Sequence, residues 1–253
     1  MARQTGAVTP RTARYRNARR DPSLAVLEGF HALKHALRFG AEIAEAVTPD
    51  PPAILALAAS LAPDLASRLP PLLRLVTPAE FATLVPAPPP TPIVALAHRP
   101  VVDAAALLAD PGPGPVVLLD RPHHLGNVGA VVRAAAAAGA AGVLATGDQD
   151  PWNPAALRGS AGLHFALPVA RVGPLPATDR PLVAVDPDGD PLWETAIPPR
   201  PLLAFGSERH GLDRSRLAAA ALRVAVPMQP GVSSLNLATT AAVLLFEIRR
   251  RYG

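Results

Sequence analysis

The chain has 253 residues, 49% of them hydrophobic, a net charge of +4 and no cysteine. That length buries one large core or two modest ones, and the lack of cysteine removes disulfides, thiolate chemistry and cysteine metal sites, as suits a cytoplasmic protein. No apolar run approaches the roughly 18 residues of a membrane span, and none follows the polar, Arg-bearing start, so neither an anchor nor a secretory signal is expected.

Arg3, Arg11, Arg14, Arg16, Arg19 and Arg20 lie in the first 20 residues with no acid among them. Residues 1–21 therefore read as a flexible basic arm, able to meet phosphates. Lys34 is the only lysine, and the chain holds 32 prolines, so part of the arginine excess is compositional bias. Beyond the arm, residues 24–27 read as a strand and 29–39 as a helix with Phe30, Leu33 and Leu37 on one side. A strand at 41–47 and a helix at 52–65, prolines near its start, come next. Residues 72–76 are a strand. Thr77, Pro78 and Glu80 form a capping-box signature. A strand at 93–97 completes a β-α-β-α-β-α-β series, an α/β layer domain over 22–100.

The run Asp110-Pro111-Gly112-Pro113-Gly114-Pro115 breaks this pattern, so 101–114 reads as a linker. A second, larger α/β domain spans 115–253 with a mainly parallel sheet. Its expected strands are 116–119, 142–145, 165–169, 182–185, 202–205 and 224–227. Its expected helices are 127–138, 155–160 and 234–252.

Three blocks in this half carry candidate chemistry. The first, from His124 to Arg133, follows a strand and opens a helix. A dinucleotide fingerprint there would need glycine where His124 stands, although Gly126, Gly129 and a distant Asp148 keep part of that pattern. A simpler reading has the two glycines permit a tight turn and Asn127 cap the helix. Arg133, beside Ala134 to Ala138, has neighbours too short to pair with it. The second block, Gly206-Ser207-Glu208-Arg209-His210-Gly211, ends an apolar strand. It reads as an exposed turn, or as a site where Gly206 admits a ligand to the backbone and Glu208 accepts hydrogen bonds. The third runs from Val226-Pro227-Met228 to Ser233-Ser234-Leu235-Asn236. A serine of this block caps the last helix in the simpler reading, whereas Asn236 among apolar residues calls for a specific partner. A serine-hydrolase reading of Ser207 or Ser234 lacks the Gly-x-Ser-x-Gly elbow.

In this order the blocks resemble the SpoU branch of the knotted SPOUT RNA methyltransferases. That family carries N-x-G-x-x-x-R, matched by Asn127, Gly129 and Arg133. It carries G-[ST]-E-x-x-G, matched by Gly206, Ser207, Glu208 and Gly211. It ends in [IV]-P-M and S-L-N, matched by Val226, Pro227 and Met228 and by Ser234, Leu235 and Asn236. Residues 22–100 are similar to the L30e-like substrate-binding domain often found ahead of it. Two departures stand out: His123-His124-Leu125-Gly126 replaces a usual Asp-Pro, and Arg209-His210 is more charged than usual.

The resemblance implies transfer of a methyl group from S-adenosyl-L-methionine to a ribose 2′-hydroxyl of RNA, rRNA rather than tRNA, with no metal. It implies a deep trefoil knot around the cofactor, with Phe205, Gly206, Val226, Met228 and Leu235 as cofactor-binding positions. Asn127, Arg133, Glu208, Ser234 and Asn236 become the catalytic set, and the site is assembled across a homodimer. Arginine stays protonated, so Arg133 is a poor base and suits gripping a phosphate or a developing alkoxide. The apolar residues of the last helix, Leu244, Leu245 and Ile248 among them, are expected at the dimer interface. The same fold also suits a non-catalytic RNA-binding or ribosome-assembly protein; the intact Asn127, Arg133, Glu208 and Asn236 favour the enzyme.

Overall fold

The computed structural model describes residues 9–252. The chain divides into two compact units, one ending at Pro100 and one beginning at Val101.

The first unit opens with helix α1 (Pro10–Ala18), capped by Thr9, whose hydroxyl accepts from the Thr12 N–H at 3.1 Å. Then come β1 (Leu24–Glu28), α2 (Phe30–Arg38), β2 (Ile43–Thr48), α3 (Pro51–Leu61), β3 (Leu73–Leu75), α4 (Pro78–Leu84) and β4 (Val94–His98). The sheet order is β1-β4-β2-β3; β4 runs antiparallel to β1 and β2, and β3 parallel to β2. Thr77 caps α4 as the capping-box pattern requires, accepting from the Glu80 N–H at 3.1 Å.

The described part of the expected basic arm is not flexible, while Arg3 lies outside the described residues. Tyr15 of α1 is fully buried with Val26, Val47, Phe81 and Leu96, and burial of a ring this size stabilises by about 2 kcal/mol. Arg11 sits between Glu45 (3.0 Å) and Glu80 (2.6 Å), Arg14 meets Glu45 (3.3 Å), and Arg19 meets the nearly buried Glu28 (2.8 Å). The helix is acid-free because its carboxylates come from elsewhere in the unit. Arg16 and Arg20 remain exposed.

The second unit contains α5 (Ala104–Ala109), β5 (Val116–Leu119), α6 (Leu125–Ala138), β6 (Gly142–Ala145), α7 (Pro154–Gly159) and β7 (Val169–Arg171). It continues with β8 (Leu182–Pro191), β9 (Leu202–Phe205), α8 (Arg214–Ala219), β10 (Leu222–Ala225) and α9 (Leu237–Tyr252). The six strands are all parallel, in the order β10-β8-β9-β5-β6-β7. Every residue of β5, β6 and β9 is buried, as befits strands in a sheet covered on both faces.

Three expectations change here. The segment 101–114 belongs to the second unit: Leu107 and Leu108 enter its core beside Val116, Leu118 and Leu144. The Arg180 guanidinium, 3% exposed, also donates to the carbonyls of Leu108, Asp110 and Gly114, each at 2.9 Å. The expected strand at 165–169 is instead a 3-10 turn over Leu163–Phe165 followed by β7 after Pro168. Proline has no N–H to offer a ladder, so pairing begins beyond it. Lastly, Ala241, Leu244, Leu245 and Ile248 of α9 are buried within the unit, where α9 packs on α6. Those side chains are taken up within the unit; the large apolar side chains of α9 that stay exposed are Phe246 (49%) and Tyr252 (47%). Among the described residues no helix is long and apolar enough to cross a membrane.

Candidate active site

A cleft of about 470 Å³ opens where β9 ends at Phe205 and β10 at Ala225, beside Val185 to Pro187 in the middle of β8. Parallel sheets place ligands at such ends, where peptide groups leave the ladder without partners. One wall is Phe205 to Glu208 from the end of β9, another is Val226 and Met228 beyond β10, and Ser234, Leu235 and Asn236 lead into α9. Asn127 completes it from α6. Nine of the ten residues singled out in sequence thus meet in one place. Such a volume suits a nucleoside-sized ligand.

The three motif blocks are joined by one line of hydrogen bonds. Asn236 Nδ2 donates to Asn127 Oδ1 at 3.1 Å, and Asn127 Nδ2 donates to Glu208 Oε1 at 2.8 Å. Glu208 also accepts from the backbone N–H groups of His123 (2.9 Å, Oε2) and His124 (3.2 Å, Oε1). Partial burial pushes the Glu208 carboxyl upward, but the His123 N–H and the Asn127 amide outweigh it and hold the group below the usual glutamate range. Glu208 is therefore a fixed acceptor and a weak base.

Asn127 does not cap α6; it is the third residue of that helix, and its amide is committed to Glu208 and Asn236. The cap of α9 is Asn236 rather than Ser233 or Ser234: its Oδ1 accepts from the Ala238 N–H at 2.8 Å. Ser234 stands exposed on the cleft rim.

Two of the motif glycines, Gly206 and Gly129, work by close approach. A Cβ on Gly206 would lie 1.9 Å from the Gly211 carbonyl carbon. The direction a side chain would take is filled by the chain's own return, where Ser207 and Gly211 exchange backbone hydrogen bonds of 3.1 and 2.9 Å, and Gly206 itself lines the cleft. A Cβ on Gly129 would lie 2.1 Å from the Ala156 carbonyl oxygen, so this glycine sets α6 against α7 and serves no dinucleotide turn.

Arg133 is the residue the structure does not bring into the cleft. It is exposed on α6 and makes no ion pair or hydrogen bond among the described residues. Six residues of helix turn it through roughly 600°, about 120° away from Asn127.

Sequence reasoning missed the wall from β8. Asp186 and Pro187 line the cleft, and Asp186 Oδ1 accepts from Arg223 Nη2 at 3.0 Å and from the Asp188 N–H at 2.9 Å. Its signal was an apolar run, 182–185, ending in Asp-Pro. Among the described residues no group of three or more His, Asp or Glu is placed to hold a metal ion.

An all-parallel α/β unit with a ligand cleft at the ends of β9 and β10, its wall tied by Asn, Glu and Asn from three motifs, is the form of a SPOUT-type methyltransferase domain. The model of the SpoU rRNA Methylase family matches residues 114–246, and the chain belongs to that family. It is 35% identical over 150 residues to a Streptomyces viridochromogenes 23S rRNA (uridine(2479)-2′-O)-methyltransferase, a match spanning 53% of this chain and 52% of that one. Over 178 residues it is 32% identical to a Bacillus subtilis 23S rRNA (guanosine(2553)-2′-O)-methyltransferase, spanning 67% and 69% of the two chains. The chain thus spans 52% and 69% of the length of these two relatives. The crystal structure of an AdoMet-bound rRNA methyltransferase from Sinorhizobium meliloti superposes with a TM-score of 0.79 at 25% identity, over 98% of this chain and 97% of that one.

Proposed function

We propose that the protein transfers a methyl group from S-adenosyl-L-methionine to a ribose 2′-hydroxyl of RNA, and of rRNA in preference to tRNA. The observation that carries this reading is the Asn236–Asn127–Glu208 line along the wall of a cleft of about 470 Å³. The relatives named above act on 23S rRNA, which supports the choice of rRNA.

The residues present fit the cofactor. Phe205, Val226, Met228 and Leu235 offer apolar surface for an adenosine, and the stretch from Val226 to Leu235 forms one internal backbone bond, Val232 N–H to the Gln229 carbonyl at 3.1 Å, among the described residues. Its other peptide groups are available to a ligand, and a chain that wraps the ligand this way suits the knot expected here. When bound, the cofactor supplies a methyl group on a sulfonium, which needs no further activation. The protein's task is then alignment. Glu208 holds Asn127, and Asn127 holds Asn236, so that the Ser234 hydroxyl and the second N–H of each amide stand at one cleft where a ribose can be oriented.

Arg133 lies outside the lining of this cleft and has no partner among the described residues. That supports a homodimer in which each Arg133 serves the other chain's cleft, gripping the phosphate beside the reacting ribose. The first unit supplies RNA affinity as the L30e-like substrate-binding domain, with Arg16, Arg20 and Lys34 among its basic side chains, and the protein works in the cytoplasm.

Incubation with cofactor carrying a labelled methyl group, an rRNA transcript and total tRNA tests the reading. Label in rRNA ribose, retained after base removal, is expected. RNA binding without transfer to either substrate would overturn it in favour of a non-catalytic assembly protein.

A further inference from the structure

Two departures from the motif pattern, His123 and His210, lie far apart in sequence and outside the lining of the cofactor cleft. The fold brings them together. With Arg121, Asp148, Gln149 and Ser207 they line a second cleft of about 410 Å³, and Ser207 belongs to both clefts.

The floor of this second cleft is rigid for a local reason. Asp120, 3% exposed at the end of β5, accepts from Thr146 Oγ1 at 2.6 Å and pairs with Arg216 Nε at 3.1 Å. The Arg121 N–H donates to the same Thr146 hydroxyl at 3.1 Å. The loops after β5 and β6 are thereby pinned together. Arg121 takes up a left-handed backbone (φ 51°), and Gly147 (φ 82°) packs so close that a Cβ would sit 3.1 Å from Arg121 Cγ. A non-glycine residue in that conformation is held there by its surroundings.

The charges argue against an anion as the occupant. Arg121 Nη2 is already shared between Asp213 (3.4 Å) and Asp120 (3.7 Å), and the Asp148 carboxylate adds a negative charge with no partner among the described residues. What the cleft does present is two exposed imidazoles and two polar ends. The His123 and His210 rings make no hydrogen bond among the described residues, while their backbone N–H groups are fixed on Glu208 (2.9 Å) and on Ser207 Oγ (3.2 Å). Rings anchored through their backbones and free at their faces are stacking partners for unpaired bases. An amide and a carboxylate beside them can read a base edge.

We propose that this second cleft receives an unstacked nucleobase of the RNA, next in sequence to the nucleotide whose ribose enters the cofactor cleft. The His123 and His210 rings clasp the base, and Asp148 and Gln149 read its edge. The proposal rests on the methyltransferase reading for the role of the neighbouring cleft; the RNA contact itself does not.

The test compares the full-length protein with its His123→Ala/His210→Ala and His123→Phe/His210→Phe variants. The probe is a short, mixed-sequence, fluorescently labelled single-stranded RNA, and the readout is anisotropy. The double alanine variant is expected to bind about tenfold more weakly or worse. The double phenylalanine variant should recover most of that loss, since it keeps aromatic rings at both positions without the ring nitrogens. A perfect duplex of the same sequence should bind all three proteins alike. Unchanged single-strand affinity in the alanine variant, or no rescue by phenylalanine, would overturn the base cleft. Calorimetry with S-adenosyl-L-methionine runs in parallel. Equal cofactor affinity in all three proteins is expected, and a change with the alanine pair would overturn the separation of the two clefts. Absence of cofactor binding in the wild type would sink the methyltransferase reading while leaving the RNA arms to decide the base cleft.

Discussion

Asn236 and Asn127, 109 residues apart, are joined amide to amide at 3.1 Å, so the start of α9 is set directly by the first turn of α6. Asn127 is the shared member, with its other end on Glu208. Asn127→Ala removes both bonds at once. We expect transfer to fall by about a hundredfold or more, as when an orienting donor is lost. The fold should lose about 1–2 kcal/mol in urea unfolding. Single-turnover assays with saturating cofactor check this; an undiminished rate would remove Asn127 from the alignment of the ribose.

Glu208 supplies a pH signature. Its folded pKa is depressed, so the stabilisation it brings is complete above its unfolded value of about 4.3 and is lost as pH falls through the lower folded value. Glu208→Gln should flatten that part of the stability profile and leave the melting temperature near neutral pH lower than in the wild type. Parallel melting curves from neutral to acid pH measure both effects. Identical acid slopes would mean that the carboxylate is not held in this way.

Two glycines predict loss of structure rather than loss of binding alone. Gly206→Ala would drive a methyl group into the Gly211 peptide, and Gly129→Ala into the Ala156 carbonyl. Each should cost about 3 kcal/mol or more, because backbone rather than a flexible side chain must give way. Gly126→Ala, with nothing within 4 Å of the added carbon, should be nearly neutral. Thermal denaturation of the three variants gives the comparison.

Arg180→Met should destabilise the second unit by about 2 kcal/mol, since it removes a buried donor from the carbonyls of Leu108 and Gly114 and leaves Asp110 to Arg200 alone. Arg180→Lys should recover little, since one ammonium cannot span three diverging acceptors. Hydrogen exchange along 101–114 reports the effect locally.

Arg133→Ala should abolish transfer while cofactor affinity is retained. Mixed with a cleft-filling Leu235→Trp variant, it should regain part of the activity, because one cleft in the heterodimer then has both an open cofactor site and an intact arginine opposite. Failure of proven heterodimers to recover any activity would place each Arg133 in its own chain's site.

Much of the second unit was legible because its strands are short apolar runs ending in small or polar residues: 116–119, 142–145 and 202–205 need no context to be read. The cleft followed from the same logic, and Asp186 was overlooked although its run ends in the same way. What sequence concealed was contact at a distance. The acid-free α1 reads as an arm until Glu28, Glu45 and Glu80 are seen around it. Gly129 suggests a turn until α7 is laid against it. The Pro-Gly stretch 110–115 looks like a tether because the cation that fastens it lies some seventy residues on, at Arg180.

That last arrangement bears on how the chain is made. Synthesis proceeds from the amino end, and domains generally fold as units as they emerge. The residues of α5 leave the ribosome well before Arg180 does, so the carbonyls of Leu108, Asp110 and Gly114 wait in water for their donor. Until the approach to β8 has been translated, the stretch 101–114 lacks these three hydrogen bonds, whatever apolar contacts it has made. Its docking is a late, delimited event that marks how far the second unit has been built.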